Sequence, residues 1–142
     1  MPIASSLLNK PRLVKKLKDF YDYVQKNDGK VGQKTRGIDL NFNNACNLRC
    51  KYCFTNSPKG DHVKEYLDIG AIRRLADEAD ELGYFEFDLQ GGELLLQPKK
   101  LFEVLEAIKP ERFYMYLTTN GYHLDEIMAK KLAEYKVSRV SV

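Results

Sequence analysis

Asn44-Ala45-Cys46-Asn47-Leu48-Arg49-Cys50-Lys51-Tyr52-Cys53-Phe54 carries all three cysteines of the 142-residue chain, with three residues between the first pair and two between the second. A thiolate is a soft ligand that selects zinc or iron-sulfur clusters over hard cations, and a short loop with three of them can wrap one compact centre from one side. Three ligands leave one metal position open. A structural zinc site is normally closed by four protein ligands, whereas a cubane cluster has four irons and can offer one to a small molecule. The count therefore favours the cluster.

Other uses of three cysteines compete with it. A disulfide with a spare thiol suits an oxidising compartment, and nothing in the sequence looks secretory. A zinc site of three cysteines and a histidine needs His62 or His123, neither at the short spacing of a knuckle. Plain burial as small hydrophobes is opposed by Asn47, Arg49 and Lys51 between the cysteines.

The run Cys46-Asn47-Leu48-Arg49-Cys50-Lys51-Tyr52-Cys53 resembles the signature of the radical S-adenosylmethionine (SAM) enzymes. The resemblance implies that Cys46, Cys50 and Cys53 bind a [4Fe-4S] cluster whose fourth iron is chelated by the amino and carboxylate groups of SAM, with Tyr52 near the adenine. It further implies an oxidoreductase-type reaction in which SAM is split to a 5′-deoxyadenosyl radical that abstracts hydrogen from a substrate. An electron donor such as flavodoxin or ferredoxin would be a partner.

Working outward, short strand patterns alternate with helical ones, an order that argues for βαβ units and a parallel sheet. The strands are expected at Gly37 to Asn43, Tyr84 to Gln90, Phe113 to Thr118 and Val137 to Val142. Between them lie helices marked by Ile69, Ile72, Leu75, Ala76, Ala79 and Leu82, by Leu101, Leu105 and Ile108, and by Leu124, Ile127, Met128 and Leu132. Gly83 can end the first in a left-handed conformation, and Pro98 can open the second. Each strand alternates: Ile38, Leu40 and Phe42 oppose Asp39, Asn41 and Asn43; Phe85, Phe87 and Leu89 oppose Glu86, Asp88 and Gln90; Phe113, Met115 and Leu117 oppose Tyr114, Tyr116 and Thr118. The apolar sets should meet the helices. The polar sets should then line a wet cavity, which a filled barrel core would not tolerate.

Two loops follow strand ends. Gly91-Gly92-Glu93 offers glycines for close backbone approach and a carboxylate that could accept from a ligand ammonium group; alone it is an ordinary turn. Thr118-Thr119-Asn120-Gly121 is likewise an ordinary turn by itself. In the resembled family, Gly91, Gly92 and Glu93 match the segment that binds the SAM amino group, although Leu94 stands where proline is frequent. Thr119 and Asn120 match a segment near the SAM pocket, and Ser141 falls where related enzymes place a residue near its ribose or carboxylate. These two loops and the cysteine loop all follow the carboxyl ends of successive strands, where parallel α/β proteins collect their active sites.

The resemblance spans about residues 37–142 and implies an α/β fold, the front portion, about four β/α units, of an open (β/α)6 partial TIM barrel. It would be truncated after the fourth strand and preceded, over residues 1–36, by a basic amphipathic helix and linker. That helix, from Pro11 to Lys26, has a stripe of Leu13, Val14, Leu17, Phe20, Tyr21 and Val24. Residues 1–36 hold nine Lys or Arg against Asp19, Asp22 and Asp28, within a net charge of +3. The basic excess reads as a solvated helix face, with nucleic acid or an acidic peptide as the functional alternatives. The signature wording resembles peptide- and protein-modifying members, so the substrate is expected to be a peptide or protein rather than nucleic acid. No stretch approaches the roughly 18 apolar residues of a membrane span, and Met1-Pro2-Ile3 opens no secretion signal, so no membrane partner and a cytoplasmic location are expected. The competing reading is a non-catalytic iron-sulfur or zinc-binding module.

Overall fold

A computed structural model describes residues 9–41, 43–57 and 67–142. Among them the elements run α1 (Pro11–Lys26), β1 (Gly37–Asn41), α2 (Ile69–Glu81), β2 (Glu86–Gln90), α3 (Pro98–Ile108), β3 (Tyr114–Thr118), α4 (Glu126–Glu134) and β4 (Arg139–Ser141). Local chemistry sets their ends. The Asp68 carboxylate accepts from the Ala71 N–H at 2.7 Å to open α2, and Asp125 does the same for the Met128 N–H at 2.7 Å to open α4. Pro11 and Pro98 occupy first turns, where a missing N–H costs nothing. Gly83, at φ +80°, lies just past the end of α2 as expected.

Among the described residues the four strands form one parallel sheet in the order β1-β2-β3-β4, with β1 and β4 at its edges. This is the α/β partial barrel anticipated from the sequence, and it is not closed. None of the described helices is long and apolar enough to cross a membrane.

The alternation falls as read within the strands, with Phe85, just ahead of β2, the exception. Leu40, Phe87, Leu89, Met115 and Leu117 pack with Ile72, Ala76, Ala79, Leu101, Leu105 and Ile108 in one core between sheet and helices. Each of these side chains other than Ala76 and Ala79 contributes roughly 1.5–3 kcal/mol when taken from water. Register then stacks the opposite face in rows: Asp39 beside Asp88 beside Tyr116 beside Arg139, and Asn41 beside Gln90. Phe42 and His62 lie outside the described residues.

Four apolar assignments are corrected. Leu82 and Ile127 are 66% and 77% exposed, because one caps α2 and the other lies in the first turn of α4. Tyr21 is 62% exposed on the outer side of α1. Phe85 is buried but sits just ahead of β2, where its ring meets Phe20 of α1 edge-on at 5.1 Å instead of joining the main core.

The basic helix is also more than a solvated face. Lys10, 2% exposed, donates to the carbonyls of Pro110 and Phe113 at 2.9 Å each, to the Lys136 carbonyl, and to Ser138 Oγ at 2.8 Å. Burial lowers its pKa to about 8. Lys16 donates to the carbonyls of Tyr84 (2.9 Å) and Arg112 (3.1 Å) and pairs with Asp80. Two cations expected in solvent thus fasten α1 to the amino-terminal end of the sheet.

Candidate functional site

At the opposite, carboxyl-terminal end, the loops after β1, β2 and β3 are tied into one piece. The Gly92 N–H donates to the Asn43 carbonyl and the Glu93 N–H to the Ala45 carbonyl, both at 2.7 Å, which seats the glycine loop against the stem of the cysteine loop. The glycines serve that contact. A Cβ on Gly92 would lie 2.1 Å from the Ala45 carbonyl oxygen, and one on Gly91, already at φ +145°, 2.4 Å from the Asn43 oxygen. Close approach is required as anticipated, but what approaches is the neighbouring loop.

Glu93 has different work from that expected of it. Its side chain is fully buried, with Oε1 accepting from the Thr119 hydroxyl (2.6 Å) and the Leu95 N–H (2.8 Å) and Oε2 from the Asn120 N–H (2.7 Å). The carboxylate braces the Thr119-Asn120 loop instead of standing open to a ligand ammonium. Thr119 is buried, and its N–H donates to the Ser141 carbonyl at 3.0 Å, which joins β4 to the same assembly. Asn120 Nδ2 donates to Asn47 Oδ1 at 2.9 Å, closing the circuit back onto the cysteine loop. The sequence marks these segments and the Glu93 carboxylate itself, but not the bonds by which that carboxylate unites them. Asn47 was seen only as a spacer between cysteines.

Cys46, Cys50 and Cys53 are free thiols, the first and last half-buried and the middle one exposed. The Leu48 N–H donates to Cys46 Sγ at 3.4 Å. The Thr55 hydroxyl, 3.2 Å from Cys53 Sγ, is the largest cause of a lowered Cys53 pKa, followed by the backbone N–H of Ser57. Both favour the thiolate, the form that binds metal. Among the described residues no three Cys, His, Asp or Glu side chains converge closely enough to hold a single metal ion. A cubane takes each thiolate on a different iron, and three thiolates on one short loop are the donor set it needs from the protein. His123 is exposed and its ring meets that of Tyr122 edge-on, at 5.0 Å. Tyr52 is 88% exposed, with the Lys51 ammonium 5.8 Å from its ring.

Below these loops lies the polar face of the sheet. The Asp88 pKa is raised to about 6, first by burial and then by Asp39 and Glu86, and its Oδ1 is buried without a hydrogen-bond partner. Glu86 has Arg36 at 3.2 Å, and the Arg139 guanidinium lies over the Tyr116 ring at 5.2 Å. A cavity of about 400 Å³ opens here, lined by Leu17, Arg36, Phe85, Glu86, Tyr114, Tyr116 and Arg139.

Comparison with known proteins agrees with this geometry. Residues 40–142 match the model of the Radical SAM superfamily. The chain is 33% identical over 114 residues to a probable GTP 3′,8-cyclase of Methanocaldococcus jannaschii, a match that covers 80% of this chain and 37% of that protein. It is 34% identical over 119 residues to the GTP 3′,8-cyclase of Nautilia profundicola, covering 80% of this chain and 36% of the relative. It is 36% identical over 104 residues to a cysteine-type anaerobic sulfatase-maturating enzyme of Clostridium perfringens, covering 64% and 28%. The chain thus spans well under half the length of these curated relatives.

Proposed function

The chain belongs to the radical SAM superfamily, whose enzymes use a [4Fe-4S] cluster and SAM, and on that premise we propose that it binds both and serves hydrogen abstraction from a substrate. The observation that carries the reading is the single hydrogen-bonded assembly of four segments at the carboxyl end of the sheet, centred on Glu93. Cys46, Cys50 and Cys53 would hold the cluster. When bound, that group supplies the electron that splits SAM into methionine and a 5′-deoxyadenosyl radical.

The chain's own residues would bind, orient and shield. With the Glu93 carboxylate committed to Thr119, Asn120 and Leu95 and its main chain to Ala45 and Leu96, the half-buried carbonyls of Gly91 and Gly92 are left to accept from the SAM amino group. Thr119, Asn120 and Ser141 would flank the rest of the cofactor, and Tyr52, standing out from the cysteine loop, would meet the adenine. Residues 37–142 would be the core domain and residues 1–36 its amino-terminal extension. A cytoplasmic location and an electron donor such as flavodoxin or ferredoxin go with this chemistry.

For the substrate, the relatives offer a nucleotide and a protein. The polar sheet face has Asp39, Glu86 and Asp88 against Arg139, with Arg36 already paired to Glu86. Such a face repels a triphosphate and suits a cationic or hydrogen-bond-donating group, which supports a peptide or protein substrate. Anaerobic reconstitution with iron and sulfide, followed by electron paramagnetic resonance (EPR) with and without SAM, tests the cofactor reading. A zinc centre, or a cluster spectrum indifferent to SAM, would refute it. Tight GTP binding by the SAM-loaded chain in equilibrium dialysis would overturn the peptide reading.

A further inference from the structure

Resting on the radical SAM reading, we propose that Thr55 and Ser57 form a hydroxyl relay that sets the reduction potential of the cluster through Cys53. Thr55 Oγ1 stands 3.2 Å from Cys53 Sγ, and Ser57 Oγ stands 2.6 Å from Thr55 Oγ1. Ser57 is buried at 5% exposure, and the intervening Asn56 takes a left-handed conformation, φ +55°, that folds the chain back so both hydroxyls face the sulfur side.

A ligating thiolate carries no proton and can only accept. Thr55 has one hydroxyl proton, so Thr55 donates to Cys53. Its oxygen must then accept from Ser57, and the relay has one direction: Ser57 to Thr55 to sulfur. The Gly91 carbonyl, 3.5 Å from Thr55 Oγ1, is the weaker competitor for the same proton. Among the described residues Cys53 is the cysteine with a hydroxyl partner, whereas Cys46 receives only the Leu48 N–H at 3.4 Å.

Reduction adds an electron whose charge is shared with the ligating sulfurs. A donor aimed at one sulfur stabilises the reduced form more than the oxidised one, which raises the potential. The serine strengthens the effect by polarising the threonine hydroxyl. Thr55 and Ser57 are positioning residues here, since neither touches the metal.

The test is an EPR-monitored redox titration of the anaerobically reconstituted chain as wild type, Thr55→Val, Thr55→Ser and Ser57→Ala. At the wild-type midpoint, the reduced-to-oxidised ratio in Thr55→Val is expected to fall by about three- to tenfold, tenfold being about 59 mV for one electron. Thr55→Ser should restore the ratio, and Ser57→Ala should fall between. A Thr55→Val ratio within twofold of wild type, or a Thr55→Ser shift as large as that of valine, overturns the proposal. If Thr55→Val loses iron, Ser57→Ala decides alone, and an unshifted potential there overturns it. A wild type without a [4Fe-4S] signal instead refutes the cofactor reading on which the proposal rests.

Discussion

Replacing Glu93 by glutamine separates its bracing role from its charge with almost no change in volume. The glutamine oxygen can take the place of Oε1 and keep the Thr119 hydroxyl and the Leu95 N–H. The amide nitrogen must then face the Asn120 N–H, which donates to Oε2 at 2.7 Å in the native chain. Two donors would oppose each other in a fully buried position. The lost bond and the orphaned N–H together cost about 1–3 kcal/mol. Flipping the amide is worse, because it sets two donors against the nitrogen. Glu93→Ala orphans all three donors and leaves a void, at roughly 3–5 kcal/mol.

The damage should be concentrated where the bonds are. Denaturant unfolding followed by circular dichroism gives the total loss, and amide hydrogen exchange at Asn120 and Leu95 locates it. Glu93→Gln is expected to speed exchange at Asn120 while leaving Leu95 nearly as protected as before. A variant as stable as wild type with an unchanged Asn120 rate would refute the brace.

The remaining predictions address the two ends of the sheet and its polar face. Gly92→Ala should lose about 1–3 kcal/mol or more, since its Cβ would meet backbone of the cysteine-loop stem, whereas Gly83→Ala, with open space but φ +80°, should lose only about 1 kcal/mol; equal losses in urea unfolding would contradict the loop-contact argument. Lys10→Met removes the donor from the carbonyls of Pro110, Phe113 and Lys136 and should cost roughly 3 kcal/mol at pH 7, and a loss below about 1 kcal/mol in the same assay would show the anchor to be dispensable. Asp88 has its pKa raised from 3.8 to about 6, so its stabilising contribution is complete below 3.8 and lost as pH rises through about 6. Asp88→Asn should therefore be more stable than wild type by about 1 kcal/mol at pH 7 to 8, a figure reduced for the solvent that still reaches the side chain, and the gap should close below pH 4; a gap that does not vary with pH would refute this.

The sheet was legible because burial imposes a period of two on each strand, and Phe87, Leu89, Met115 and Leu117 obey it without exception. Element ends were less so. Leu82 and Ile127 continue a helical spacing past the point where the helix still faces the core, and spacing alone does not show where the face turns away. Lys10 was opaque for another reason. It stands at the helix N-cap without acting as one, and its acceptors lie 100 or more residues away in the chain, so only the tertiary fold reveals that its ammonium is buried.

The candidate site shows a similar division. Cysteine spacing can be read locally, since thiolates on one short loop can reach one centre whatever the rest of the fold does. Gly91, Gly92 and Glu93 report something less direct. Their pattern suits a ligand, yet the contacts that require it are internal: Asn43 and Ala45 against the glycines, Thr119, Asn120 and Leu95 around the carboxylate. These residues fix where the cysteine loop stands relative to the loop after β3, with Asn120 to Asn47 as the second tie. A substitution at Glu93 should therefore alter cofactor binding through loop position, and do so even for a ligand that never touches the carboxylate.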